Sequence, residues 1–297
     1  MEELLCGSMS THEVTQEDIE KFKENGYIIY DNFINRDLIE RALSRVKPIF
    51  NDEFETGVLP DKVKLQKDGS GEDDCFSGSM CNIWKSDRTV AQITLSEKVG
   101  KYAAELMNWP GTRANQDNIF LVPPNSGTTT FHQDEPYQDW HEPGRLITCW
   151  IALADVSAKG AALEYVRGSH KWPLGSRVTK FHSAKNYRSD LDREAAELGN
   201  EVDIVPVVVP SGGAVFHDGK IWHGSNFNRT DKCRYSVSTH CMSSDSHFHP
   251  TIPSPMFNHY KRFEDLTMDE SFFPILWTID NKRSKFLKDY FRISNEK

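Results

Sequence analysis

Thr128-Thr129-Thr130-Phe131-His132-Gln133-Asp134 places a His-x-Asp pair near the middle of the chain. On an extended strand, residues two apart project to the same face, so His132 and Asp134 can both reach one metal ion. Gln133 then faces the other way. An imidazole and a carboxylate make up two thirds of the 2-His-1-carboxylate facial triad of non-haem Fe(II) sites. By itself the pair is weak, and a surface His beside a turn Asp is the plainer reading.

The downstream sequence changes that balance. Trp222-His223-Gly224-Ser225 offers a second imidazole after a long insert, and Arg234 follows eleven residues after His223. A facial triad leaves positions open on the metal, and a 2-oxoacid can fill two of them through its keto and carboxylate oxygens. A diacid such as 2-oxoglutarate needs its far carboxylate held as well, and a guanidinium forks onto a carboxylate better than an ammonium does. The expectation is a site in which His132, Asp134 and His223 hold Fe(II), Arg234 anchors 2-oxoglutarate, and O2 takes the remaining position.

Five ordered blocks extend this reading: Phe22-Lys23-Glu24-Asn25-Gly26-Tyr27, Thr130 to Asp134, Thr148-Cys149-Trp150-Ile151-Ala152-Leu153, Val166-Arg167-Gly168-Ser169-His170, and Trp222 to Ser225 with Arg234. With them the chain resembles the phytanoyl-CoA dioxygenase family of Fe(II)/2-oxoglutarate-dependent oxygenases, over about residues 15 to 280. The resemblance implies that Ser225 assists Arg234 and that Trp150 lies against the cosubstrate; a core Trp is the competing reading of Trp150. Many relatives carry a Lys where Val122 stands, and it contacts the metal-proximal carboxylate of the cosubstrate. Asn118, four residues earlier on the same strand face, is the first candidate to replace it, and Thr129 the second. A strand-end hydrogen bond to backbone is the alternative role for Asn118. Halogenating relatives lack the metal-binding carboxylate, so Asp134 points to hydroxylation, desaturation or oxidative ring closure.

The fold follows from the rhythm of the chain. Strands alternate with turns and no βαβ pattern appears, which predicts a mainly β protein with flanking helices around a double-stranded β-helix, a jelly-roll or cupin-like core. A single domain is expected over 1–297, with residues 1–12 disordered, a helical bracing region over 15–107, the jelly-roll core over 113–246 and a C-terminal cap over 247–297. Thr15 with Asp18 reads as a capping box and Gly26 as a helix stop. A continuous helical pattern is expected over 87–107. Residues 51–80 look irregular, with a polar loop near 67–74 that is either a lid or a solvated connection. Asn82 and Trp84 are pocket candidates by resemblance, with packing as the alternative for Trp84. His217 reads as a buried, hydrogen-bonded His or a residue supporting the site. His141 is not expected as a ligand, and His170 reads as structural. His247 and His249 suggest a loop rather than a second metal. Residues 271–277 are expected to cap the barrel or the pocket.

Composition narrows the function classes. Of 297 residues, 38% are hydrophobic, enough for a sizeable core, and the net charge of −9 gives no support for nucleic acid or an anionic membrane as partner. No apolar run reaches the length of a membrane span. The acidic start lacks the plan of a secretory signal. Six cysteines without a CxxC spacing suggest reduced thiols in the cytoplasm. The expected partner is a small-molecule substrate, and the expected state a monomer or weak homo-oligomer. Besides an oxygenase acting on a small metabolite, a cupin-like metal enzyme and an inactive binding protein that do not use 2-oxoglutarate remain in play. Val122 is the best support for the cupin-like reading, and Arg234 argues against it.

Overall fold

Local capping sets the first helix. Thr15 Oγ1 accepts from the Asp18 N–H at 3.1 Å, and the Asp18 carboxylate accepts from the Thr15 N–H at 3.0 Å. Gly26 stops the helix with φ +82°, a conformation that residues with a Cβ rarely adopt. The computed structural model describes residues 13–67, 76–178, 181 and 186–292. The expected disorder of 1–12 and the polar loop over 68–74 lie outside these residues.

The chain opens with α1 (Gln16–Asn25), β1 (Tyr27–Tyr30), α2 (Arg36–Phe50), β2 (Lys62–Lys67) and β3 (Phe76–Cys81). Then come α3 (Arg88–Thr94), α4 (Glu97–Met107), β4 (Gly111–Val122), β5 (Thr129–His132), β6 (His141–Glu142), β7 (Ile147–Ala152) and β8 (Leu163–Val166). The rest comprises α5 (Ser189–Leu198), β9 (Ile204–Pro206), β10 (Ala214–Asp218), β11 (His223–Ser225), β12 (Arg234–Ser243), β13 (His247–Phe248), β14 (Ile275–Thr278) and α6 (Phe286–Arg292).

A large antiparallel sheet runs in the order β1-β10-β7-β12-β4-β3-β2, with β14 also on β4. A small sheet runs β5-β11-β8-β9, and β13 pairs with β6. This is the double-sheet jelly roll expected from the sequence. Alternation along the large sheet divides its residues between two environments. Ile119, Leu121, Cys149, Ile151, Phe216, Val237 and Cys241 join the core formed with the helices, including Val90 and Ile93 of α3 and Val99 and Leu106 of α4. The alternate residues face the cavity between the sheets, where Asn118 pairs with Ser238 and Ser238 with Trp150.

Three expectations need correction. The helical pattern over 87–107 is two helices, because Ser96 caps α4 by accepting from the Val99 N–H at 3.2 Å. The stretch read as irregular contains β2 and β3, which extend the large sheet beyond β4; its Lys-rich and Ser/Gly-rich sequences hid the alternation. His247 is in a strand rather than a loop. Residues 275–278 form a strand on β4, and Phe273 just before it packs against Trp140 and Phe257 of the cavity wall.

Candidate metal centre

His132 and His223 sit directly opposite one another on β5 and β11. Gly224 permits this close pairing, since a Cβ there would lie 2.7 Å from the Thr129 carbonyl oxygen. His132 Nδ1 is 2.7 Å from the Thr130 carbonyl oxygen, and His223 Nδ1 is 3.1 Å from that of Ile221. A carbonyl only accepts, so each ring carries its proton on Nδ1 and turns a bare Nε2 inward. Burial, followed by the neighbouring His132, holds the pKa of His223 well below the usual imidazole value, which keeps it neutral and ready to ligate.

Asp134 arrives by a different route from the one expected. β5 ends at His132, and Asp134 already has helical dihedrals (φ −79°, ψ −38°) at the head of a turn over Glu135–Tyr137. Its N–H donates to the Gly219 carbonyl at 2.8 Å. The turn, not the strand pleat, brings the carboxylate to the histidines. Oδ1 lies 3.4 Å from His132 Nε2 and 3.8 Å from His223 Nε2. One ligand atom from each of the three residues falls within 4.8 Å of the others. Donors about 2 Å from a shared ion lie within about 4 Å of one another, so little tightening is needed to hold one. Gln133 does turn away, and its amide bonds the Lys220 carbonyl and the Gly175 N–H, both at 2.6 Å.

The other carboxylate oxygen is held from the large sheet. Thr148 Oγ1 donates to Asp134 Oδ2 at 3.0 Å, and His240 Nδ1 lies 2.8 Å from that hydroxyl. His217 Nε2 is 3.3 Å from Oδ2, and its Nδ1 is 2.8 Å from the Tyr165 hydroxyl. Burial works against ionisation of Asp134, while the hydrogen bond from His217 Nε2 to Oδ2 favours the carboxylate. Burial also pushes the Tyr165 phenol well up, so it keeps its proton. His217 is thus the buried, hydrogen-bonded His that the sequence favoured. Thr148, Tyr165 and His240 were missed. The alternation of Arg234, Ser236 and Ser238 continues to His240, and that period was the available signal.

Arg234 starts β12 on the same face. It is buried, its guanidinium carbon lies 5.8 Å from the Trp150 ring centroid, and Nη1 donates to the Ala161 carbonyl at 2.7 Å. No carboxylate pairs with it among the described residues, and its Nε and the nearby Ser236 Oγ have no hydrogen-bond partner. Burial alone lowers its pKa to about 10. A buried cation without an anion is costly, and a dicarboxylate ligand would supply the missing charge.

A cavity of about 400 Å³ lies between the sheets and takes in His132, Asp134, His223 and Arg234. Asn118, Thr129 and Trp150 line it too. Asn118 accepts from Cys81 Sγ at 2.7 Å, and its Nδ2 makes only a long 3.5 Å contact with Ser238 Oγ. Ser225 is buried opposite Thr129 but outside the lining, as is Val122. Asn82 and Trp84 stay out as well: Asn82 bonds Asp61, and Trp84 packs with Phe286 and Tyr290. His141 is buried away from the triad, and His170 contacts the Lys23 carbonyl at 3.0 Å. His247 and His249 both lean on Glu142, at 3.2 and 3.5 Å. Among the described residues, the His-Asp-His triad is the only group able to hold a metal, and no helix is long and apolar enough to cross a membrane.

The sequence model of the phytanoyl-CoA dioxygenase (PhyH) family matches residues 22–236, well over half of the chain. Peroxisomal phytanoyl-CoA dioxygenase of Rattus norvegicus is 26% identical over 75% of this chain and 67% of its own. The multifunctional dioxygenase ausE of Penicillium brasilianum is 21% identical over 70% and 65%. The fold matches the structure of the epimerase SnoN in complex with Fe3+, α-ketoglutarate and nogalamycin RO, with a TM-score of 0.67 and 17% identity over 87% of this chain and 96% of that one. With its triad, its buried arginine and this family match, the chain belongs to the phytanoyl-CoA dioxygenase family of iron- and 2-oxoglutarate-dependent oxygenases.

Proposed function

We propose that this oxygenase oxidises a C–H bond of a small organic metabolite, by hydroxylation, desaturation or ring closure, with His132, Asp134 and His223 as the iron ligands. The observation that carries the reading is the pairing of three convergent ligand atoms with a buried arginine that has no anion of its own. When bound, iron with 2-oxoglutarate and O2 supplies the oxidative decarboxylation that drives C–H oxidation.

The chain's own contributions follow from its geometry. His132 and His223 present Nε2 because backbone carbonyls fix their Nδ1 protons. Asp134 presents Oδ1 because Thr148 and His217 occupy Oδ2. Arg234 offers a guanidinium to the far carboxylate of the cosubstrate, with Trp150 packed beside it. Asn118 and Thr129, which both line the cavity, are placed to serve the near carboxylate; Ser225 supports the strand pairing behind them. Burial of the triad limits access of water to the oxidising centre. The protein acts on its substrate as a monomer or weak homo-oligomer in a reducing cytoplasm; four free cysteines among the described residues support that compartment.

His132→Ala tests the assignment. It should abolish both iron retention after anaerobic loading and the formation of succinate from 2-oxoglutarate under O2. Retained iron in the variant would remove His132 from the ligand set.

A further inference from the structure

Gln138 is a buried amide with half of its hydrogen-bonding capacity unused. It follows Asp134 by one turn of chain and lines the cavity. Its Oε1 accepts from Asn115 Nδ2 at 2.8 Å and from Trp140 Nε1 at 3.1 Å. An indole N–H can only donate, so the atom facing Trp140 must be the carbonyl oxygen, and the amide orientation is fixed. The NH2 group then has no partner among the described residues, although the side chain is only 7% exposed. Trp140, Met256 and Phe257 make the neighbouring wall apolar. Among the described lining residues the acidic one is Asp134, while Lys62 and Arg234 contribute positive charge and Arg177 is paired with Asp139 at 2.6 Å. An ammonium would find no free counter-ion among these residues.

We infer that Gln138 selects and orients the substrate by donating from Nε2 to a carbonyl or hydroxyl oxygen, and that the substrate is a largely apolar molecule without positive charge. The inference rests on the oxygenase reading above and adds the substrate class. Donating at a fixed angle, the amide would set which carbon of the bound molecule lies nearest the iron ligands. A site built to hydrogen-bond an oxygen discriminates against molecules that lack it.

The test uses the full chain loaded anaerobically with Fe(II) and 2-oxoglutarate. Three bicyclic probes of similar size are titrated against the intrinsic fluorescence of the cavity tryptophans: tetralone, tetralin and aminotetralin. Retention of iron and of labelled 2-oxoglutarate is measured first. Loss of either counts against the oxygenase reading, separately from the probe result. In Gln138→Met, tetralone affinity should fall roughly tenfold, while tetralin affinity stays unchanged. A purely structural role would weaken both probes together and would overturn the inference, as would unchanged tetralone binding. If the variant does not fold, the native protein decides. Tetralone must bind at least about tenfold more tightly than aminotetralin, the scale of one hydrogen bond, and equal binding of the two overturns the proposal.

Discussion

Replacing Arg234 with Ala separates two energies that the cosubstrate-free protein holds in one side chain. Burial lowers the Arg234 pKa to about 10, which corresponds to about 3 kcal/mol of disfavoured charge. The folded value lies below the unfolded one, so this cost is present at every pH below about 10. Ala removes the cost together with the Nη1 bond to Ala161, worth about 1 kcal/mol. The unliganded variant should therefore melt within a few degrees of the native protein. Binding behaves differently, because truncating one side of a buried charge pair costs roughly 2–5 kcal/mol. The assay is anaerobic thermal melting with Fe(II) and 2-oxoglutarate at 100 times the native Kd. The native protein should gain about 2.7 kcal/mol, or roughly 5 °C at this chain length. A variant with hundredfold weaker affinity should gain about 0.4 kcal/mol, or about 1 °C. Iron retention should not change. A native-sized shift from 2-oxoglutarate in Arg234→Ala would refute the assignment.

Three further perturbations probe the supports around the site. Thr148→Val removes the hydroxyl that holds Asp134 Oδ2 and meets His240; chelator competition should show iron affinity lower by roughly tenfold, and unchanged affinity would remove Thr148 from the support. Asp117 is fully buried and accepts from Thr94 Oγ1 at 2.6 Å, and burial raises its pKa to about 7. Its folded value lies above the unfolded one, so the protein should lose stability as pH rises from about 4 to about 7; Asp117→Asn should flatten that part of the urea-unfolding profile, and a slope equal to the native one would show that another group is responsible. Gly224→Ala would place a Cβ 2.7 Å from the Thr129 carbonyl; calorimetry should show a loss of about 1–3 kcal/mol, and a native melting temperature would mean that β5 and β11 separate without penalty.

The candidate triad was legible in the sequence because its chemistry is rare, but the way Asp134 reaches the histidines was not. An x between His and Asp suggests a strand face, whereas the chain turns at Asp134 and ties its N–H to Gly219, a contact 85 residues away in sequence. The capping box at Thr15 and the stop at Gly26 were local, and local signals suffice for helix ends. β2 and β3 were hidden because hydrogen bonding, of β3 to β4 and of β2 to β3, rather than an apolar pattern, holds them in the sheet. The period of β12 put His240 on the Arg234 face, but its role, like that of Gln138, was hidden for a related reason. Their roles depend on partners at Thr148, Trp140 and Asn115, and a tertiary hydrogen bond leaves no mark on local composition. The Asn228-Arg229-Thr230 sequon shows the converse hazard: Asn228 is fully buried and its amide binds three carbonyls, so the motif reflects loop architecture.

The two sheets contribute unequal halves of the metal centre. The imidazoles come from the small sheet, while the carboxylate between them is gripped by Thr148, His217 and His240 from the large one. An ion held by these three side chains would rivet the two layers together, so its binding energy would also be closure energy. Admission of small molecules and possession of iron would then be linked properties.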